Sequence, residues 1–167
     1  MKKKTNSSMI LTSLICLIPF IISGLFYKEL PDSIATHWNF NGVPDGYSSK
    51  LIAAFGIPAF LFVINIITNF AIDKDVNNAN NSKKILFIGK WIVPILSVFV
   101  QTYIITYALG RKVNISTYVM LIQGLLIMLI GNYLPKCQPN NTIGIKTPWA
   151  IKNKENWKRT HRVSGYV

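Results

Sequence analysis

The stretch LIAAFGIPAFLFVINIITNFAI, Leu51 to Ile72, runs for 22 residues between Lys50 and Asp73 without a single charge. Thirteen of these are Leu, Ile, Phe or Val. At about −0.3 to −0.6 kcal/mol each they contribute roughly −4 to −8 kcal/mol toward insertion into a bilayer, of which Asn65, Asn69 and Pro58 offset a part. A hydrocarbon layer about 30 Å thick is crossed by roughly 20 helical residues, so the length fits a single span. Amphipathic helices of a soluble bundle carry charges at helical spacing on one face. This stretch has none.

Three further stretches read the same way. The chain is uncharged between Lys4 and Lys28, from Trp91 to Gly110, and from Val113 to Pro135. Charged residues make up 14% of the 167-residue chain, against about 25% in soluble domains. The expected fold class is all-α: a polytopic transmembrane helical bundle of four spans. Three modules follow: residues 1–72 with two spans and an outer loop at 28–50, a cytoplasmic linker at 73–90, and residues 91–167 with two spans and a basic tail. No A-x-A cleavage site follows the first apolar run, so that run is expected to stay as a span.

The net charge of +12 is mostly topology. Segments before span one, between spans two and three, and after span four hold fourteen Lys and Arg residues. The other two loops hold only Lys28, Lys50, Arg111 and Lys112. The positive-inside rule then puts both termini in the cytoplasm. Membrane lipids with anionic headgroups are the expected counterions of the tail, and no direct nucleic-acid partner is expected. Tyr27, Trp91, Tyr107, Tyr118 and Tyr133 fall near span ends, as an interfacial aromatic belt does.

No Asp, Glu, Lys, Arg or His lies inside a span, which argues against proton-driven transport and against membrane-embedded aspartyl proteases and H-E-x-x-H metalloproteases. The intramembrane polar residues are Asn65, Asn69, Gln101 and Gln123. They read first as interhelical hydrogen-bonding groups. The alternative is the polar lining of a small-molecule transporter or channel subunit. Cys16 in span one and Cys137 beyond span four are expected to stay unpaired.

The outer loop contains His37-Trp38-Asn39-Phe40-Asn41-Gly42-Val43-Pro44-Asp45-Gly46. Ile34, Trp38 and Phe40 share a period-two face, which predicts one short strand resting on the span ends or the lipid interface. Asn41-Gly42 and Pro44-Asp45-Gly46 predict two turns in succession. The candidate ligand-contacting residues are Pro31, His37, Trp38, Asn39, Gly42, Pro44, Asp45 and Gly46. His37 with Asp32, Asp45 and Asn39 matches no zinc spacing, and the charge pattern puts His161 across the membrane from it. Ser33, Ser48 and Ser49 sit in no recognisable nucleophile setting. The expectation is no metal, no cofactor and no catalytic set: the chain is not expected to be an enzyme.

The linker sequence DVNNANNSKK predicts a flexible connector. In the tail, Pro135 and Pro139 stop span four, and Thr142 to Thr147 predicts a short extended piece. Asn153 predicts the N-cap of a helix reaching about Val163, with Glu155 in its first turn and Lys158, Arg159 and Arg162 later, as the macrodipole favours. Trp149 and Trp157 among these bases suit a segment at the inner interface.

Two segments resemble known families. Leu30 to Lys50 resembles the signature loop of a domain of unknown function that commonly precedes the SdpI module in bacterial membrane proteins. Gly131 to Tyr166 is similar to the SdpI signature itself, N-x-x-I-G-I-[KR]-T-P-W followed by W-x-x-T-H-R. Asn140, Gly144, Lys146, Thr147, Pro148 and Trp149 fit the first half, and Trp157, Thr160, His161 and Arg162 the second. The resemblance implies a multi-pass protein of the bacterial cytoplasmic membrane, an immunity protein giving resistance to a secreted toxic peptide. It also implies a signalling role, in which a cytosolic repressor is held at the membrane. The toxin would meet the outer loop and the span faces, and the repressor would meet the basic inner tail with its signature residues. The family usually continues past the T-H-R motif into further spans, so the resemblance implies either more chain beyond Val167 or a shortened paralogue.

Overall fold

The computed structural model describes residues 7–111 and 114–166, with the backbone alone at 115 and 116. Four helical segments are long and apolar enough to cross a membrane: Ser7–Glu29, Ile52–Lys74, Lys83–Ala108 and Thr117–Lys136. They match the four uncharged runs. The first is α1 (Ser7–Ile15) continued by α2 (Ile18–Phe26), with Pro19 at the start of α2, where a missing N–H costs little. The second is a π turn over Ile52–Gly56 leading into α3 (Ile57–Lys74). The third, α4 (Lys83–Ala108), has 26 residues, about 39 Å at 1.5 Å per residue, so it outruns the bilayer core. The fourth is α5 (Ile115–Tyr133). Leu11, Ile21, Phe60, Ile67, Met120 and Met128 are exposed on these helices, an apolar exterior suited to lipid.

The chain divides into two compact units. The first unit is Met1–Ile67 with Lys90–Val119. It holds an apolar cluster of Leu30, Ile34, Ala53, Ala54, Ile104 and Ile105, all buried. Its loop at 28–50 differs from the expected single strand. Strands β1 (Ser33–Trp38) and β2 (Pro44–Ser49) form an antiparallel hairpin. Pro44 begins β2 opposite Trp38, and Gly46 faces His37. Both strands are sheet edges, where Pro and Gly are tolerated, so the second turn signal is part of a strand. Phe40 is also not on the inner face: it stands fully exposed in the turn.

The second unit is Thr68–Gly89 with Met120–Val167. It contains a 3₁₀ turn at Val76–Asn80, a second at Leu134–Lys136, and the short helices α6 (Pro148–Ile151) and α7 (Lys154–Ser164). Asn153 caps α7 as expected, its side chain accepting from the Asn156 N–H at 2.8 Å. The expected extended piece at 142–147 is irregular loop. The expected flexible connector is an ordered turn, with Asn78 and Asn81 buried.

Candidate functional site

The β1–β2 hairpin is tied to the helix ends. Trp38 packs edge-on against Tyr103 and Tyr107 of α4, with ring centroids 4.9 and 5.4 Å apart. Such edge-to-face pairs add about 0.5–1.5 kcal/mol beyond the area they bury. Lys50 donates to the Leu30 carbonyl at 2.7 Å and lies over the Tyr27 ring. The turn is built by Asn39, whose side-chain oxygen accepts from the N–H groups of Asn41 and Val43. Gly42 supplies the positive φ of 76° that closes it. His37 pairs across the strands with Asp45, Nδ1 to Oδ1 at 2.5 Å, both side chains facing solvent. A side chain at Gly46 would press on the Cβ of His37 at 2.9 Å. The structure thus brings His37, Trp38, Asn39, Gly42, Pro44, Asp45 and Gly46 into one hairpin, with Pro31 exposed just before β1. It also presents Phe40, Val43 and Tyr47 outward. Val43 and Tyr47 are candidates that the turn-based reading missed, because their alternation appears only once β2 is recognised.

Within the spans, Asn65, Asn69 and Gln101 are buried and Gln123 is exposed. Asn65 donates to the Ser13 hydroxyl at 3.3 Å. Gln101 donates from Nε2 to Ser23 Oγ at 2.8 Å and to the Ala53 carbonyl at 3.1 Å. The π turn makes this possible. Its wider register frees backbone carbonyls from the usual ladder, and the amide of Gln101 meets one of them.

The tail folds around its own signature residues. Asn140 is the hub: Oδ1 accepts from the N–H groups of Thr142 and Ile143 at 2.8 and 2.6 Å, and Nδ2 donates to the carbonyls of Gln138 and Ile143. Trp157 is buried and donates from Nε1 to the Cys137 carbonyl at 2.8 Å. His161 stacks on Trp157 at 4.1 Å. Its Nδ1–H donates to the Trp157 carbonyl at 2.9 Å, and Nε2 accepts from the Ile145 N–H at 3.0 Å. That pair of bonds requires the neutral Nδ1–H tautomer. Burial pushes the pKa of His161 below its ordinary value; the bond to the Trp157 carbonyl opposes this, and the charge of Lys146 adds to it. Gly144 has φ +109°, and a Cβ there would overlap His161 Nε2. Pro148 opens α6 just after Thr147, and Thr160 is half-buried on α7. Lys146, Trp149 and Arg162 are exposed.

Asp75 was not legible as a site residue, yet it locks the linker to the tail. It accepts from the Asn77 N–H, the Asn141 N–H and side chain, and the Thr142 hydroxyl. Burial alone would raise its pKa, but these hydrogen bonds outweigh that and hold it below the ordinary carboxylate value. Asn78 donates to Thr142 Oγ1 at 2.7 Å, and Asn81 accepts from the Gln138 N–H at 2.8 Å. The only local hint is the Asp-x-Asn spacing of an Asx turn. Among the described residues no cluster of His, Cys, Asp or Glu could hold a metal ion.

Residues 136–167 match the model of the SdpI/YfhL protein family. The tail carries the SdpI/YfhL signature. Residues 14–62 match a domain of unknown function (DUF1648), in the order that the resemblance implied. The chain is 28% identical over 158 residues to a protein of Bacillus subtilis (strain 168) described as "Immunity protein SdpI", covering 95% of this chain and 74% of that one. No solved structure matches. The SdpI-like tail and the four apolar helices make this a multi-pass bacterial membrane protein.

Proposed function

We propose that this SdpI-like chain is a non-enzymatic immunity protein, which protects its cell from a secreted toxic peptide by binding it. Both termini lie in the cytoplasm and the β1–β2 hairpin lies outside, as the lysine and arginine distribution favours. The observation that carries the reading is the hairpin itself, together with similarity to an immunity protein along 95% of the chain. Phe40, Val43 and Tyr47 stand exposed on a turn that Trp38 and Lys50 anchor from beneath. A rigid, partly apolar hairpin is a suitable platform for an amphipathic peptide, because little order is lost on binding. His37 and Asp45 add a polar pair beside it.

On the cytoplasmic side the exposed signature residues Lys146, Trp149 and Arg162 are offered to a soluble repressor, while Asn140, Trp157 and His161 keep the surface folded. Relaying toxin binding to that side requires two conformations with different affinity for the peptide. The transporter reading is weaker: Gln101 spends its amide on Ser23 and Ala53, the behaviour of a packing residue.

Survival of cells challenged with the toxic peptide tests the outer role. Phe40→Asp, exposed and free of packing cost, is expected to abolish protection at normal expression. Trp38→Ala and His37→Ala are expected to weaken it. Full protection by all three variants would remove the hairpin from the mechanism.

A further inference from the structure

A groove of about 690 Å³ lies on the second unit, in the size range of ligand sites. Its floor is made by Asn140 and Trp157, both buried and both fixed by hydrogen bonds to the loop at 137–143. One wall is the 3₁₀ turn, which contributes Asn77 and Asn80. Helix α7 contributes Lys154 and Lys158, four residues apart and so on one face. No carboxylate lines it. Of the acids next to it in sequence, Asp75 is directed into four hydrogen bonds with Asn77, Asn141 and Thr142, and Glu155, beside Lys154 in the first turn of α7, is exposed and does not line the groove.

We infer that this groove binds an acidic, extended peptide segment of a soluble partner. Each Asn side chain offers one acceptor and a donor pair, the same functions as a peptide group, so Asn77 and Asn80 suit a main chain passing between them. The two ammonium groups suit acidic side chains on one edge of that segment. A phosphate would call for donors alone, and the arginines that would grip it best, Arg159 and Arg162, do not line the groove. Ile151 adds an apolar side chain to the lining. Such docking deepens the partner-receiving role proposed for the tail, yet a titration reads the groove whether or not the chain protects cells.

The test uses the full chain in zwitterionic nanodiscs and a short fluorescein-labelled peptide of alternating glutamate and alanine, followed by anisotropy. Saturable binding is expected, with the lysine–alanine counterpart at least about tenfold weaker. Lys154→Gln with Lys158→Gln should weaken the acidic peptide roughly tenfold, and Asn80→Ala about threefold. Arg159→Gln with Arg162→Gln should stay within about twofold of the parent. All five positions are exposed, and unchanged tryptophan emission verifies the fold of each variant. Equal loss in the two double variants would show a diffuse basic surface and overturn the groove. Absence of binding would also overturn it, as would full displacement by millimolar inorganic phosphate.

Discussion

Gly144→Ala places the SdpI-like signature under the most direct structural stress. The residue sits at φ +109°, where a side chain costs about 1–3 kcal/mol of backbone strain. The added methyl would also overlap His161 Nε2 and approach Trp157 Cζ2 at 3.2 Å. Neither ring can step aside cheaply: His161 is bonded at both nitrogens and Trp157 at its indole N–H. Overpacking of this kind costs typically about 1–3 kcal/mol. Together the two effects destabilise the tail by roughly 2–6 kcal/mol, which is about 30-fold or more in the local opening constant. Hydrogen exchange of the Ile145 amide reads that opening, because this N–H donates to His161. A double-mutant cycle separates the causes. With His161→Ala already present, Gly144→Ala should cost only its backbone part, leaving a coupling of about 1–3 kcal/mol. Exchange at Ile145 within about threefold of the parent, or strictly additive costs, would refute the described fit of Gly144 against the imidazole.

Gln101→Leu removes the donor to Ser23 and to the Ala53 carbonyl of the π turn; a loss of about 1–3 kcal/mol is expected in unfolding from mixed micelles, and unchanged stability would contradict the contact. The tail should also be sensitive to acid. His161 must be neutral to accept from Ile145, and its folded pKa lies below the free value. Its contribution is therefore complete above about pH 6.5 and is lost as pH falls through the lower folded value. Exchange in the tail should accelerate over that window in the parent chain, and His161→Phe should remove that component.

The spans were legible because a run of about 20 uncharged residues admits few other readings. The α7 helix was legible from Asn153 and Glu155, since capping is local in sequence. The hairpin was half legible. Pro44-Asp45-Gly46 has turn chemistry, and only its pairing partners, Trp38 and His37, show that it is a strand. A register irregularity between Ala35 and Trp38 also breaks the period-two face on which Phe40 was placed. In the tail, the signature residues were found by resemblance, but their roles were not readable. Asn140, Trp157 and His161 look like polar and aromatic contact residues, yet they are spent on holding the loop. The linker misled for a different reason. Asn78 and Asn81 act on partners 64 and 57 positions away, and composition carries no trace of such distant bonds.

The account depends on the hairpin and the SdpI-like tail being in opposite aqueous compartments. Single thiols at two exposed positions, Val43→Cys in the hairpin turn and Lys152→Cys after α6, can be challenged with a membrane-impermeant maleimide on intact cells. Native Cys16 and Cys137 are buried and serve as an internal blank. The account predicts labelling at position 43 in intact cells, and labelling at position 152 only after permeabilisation. Reaction at 152 with protection at 43, or reaction at both in intact cells, would contradict it.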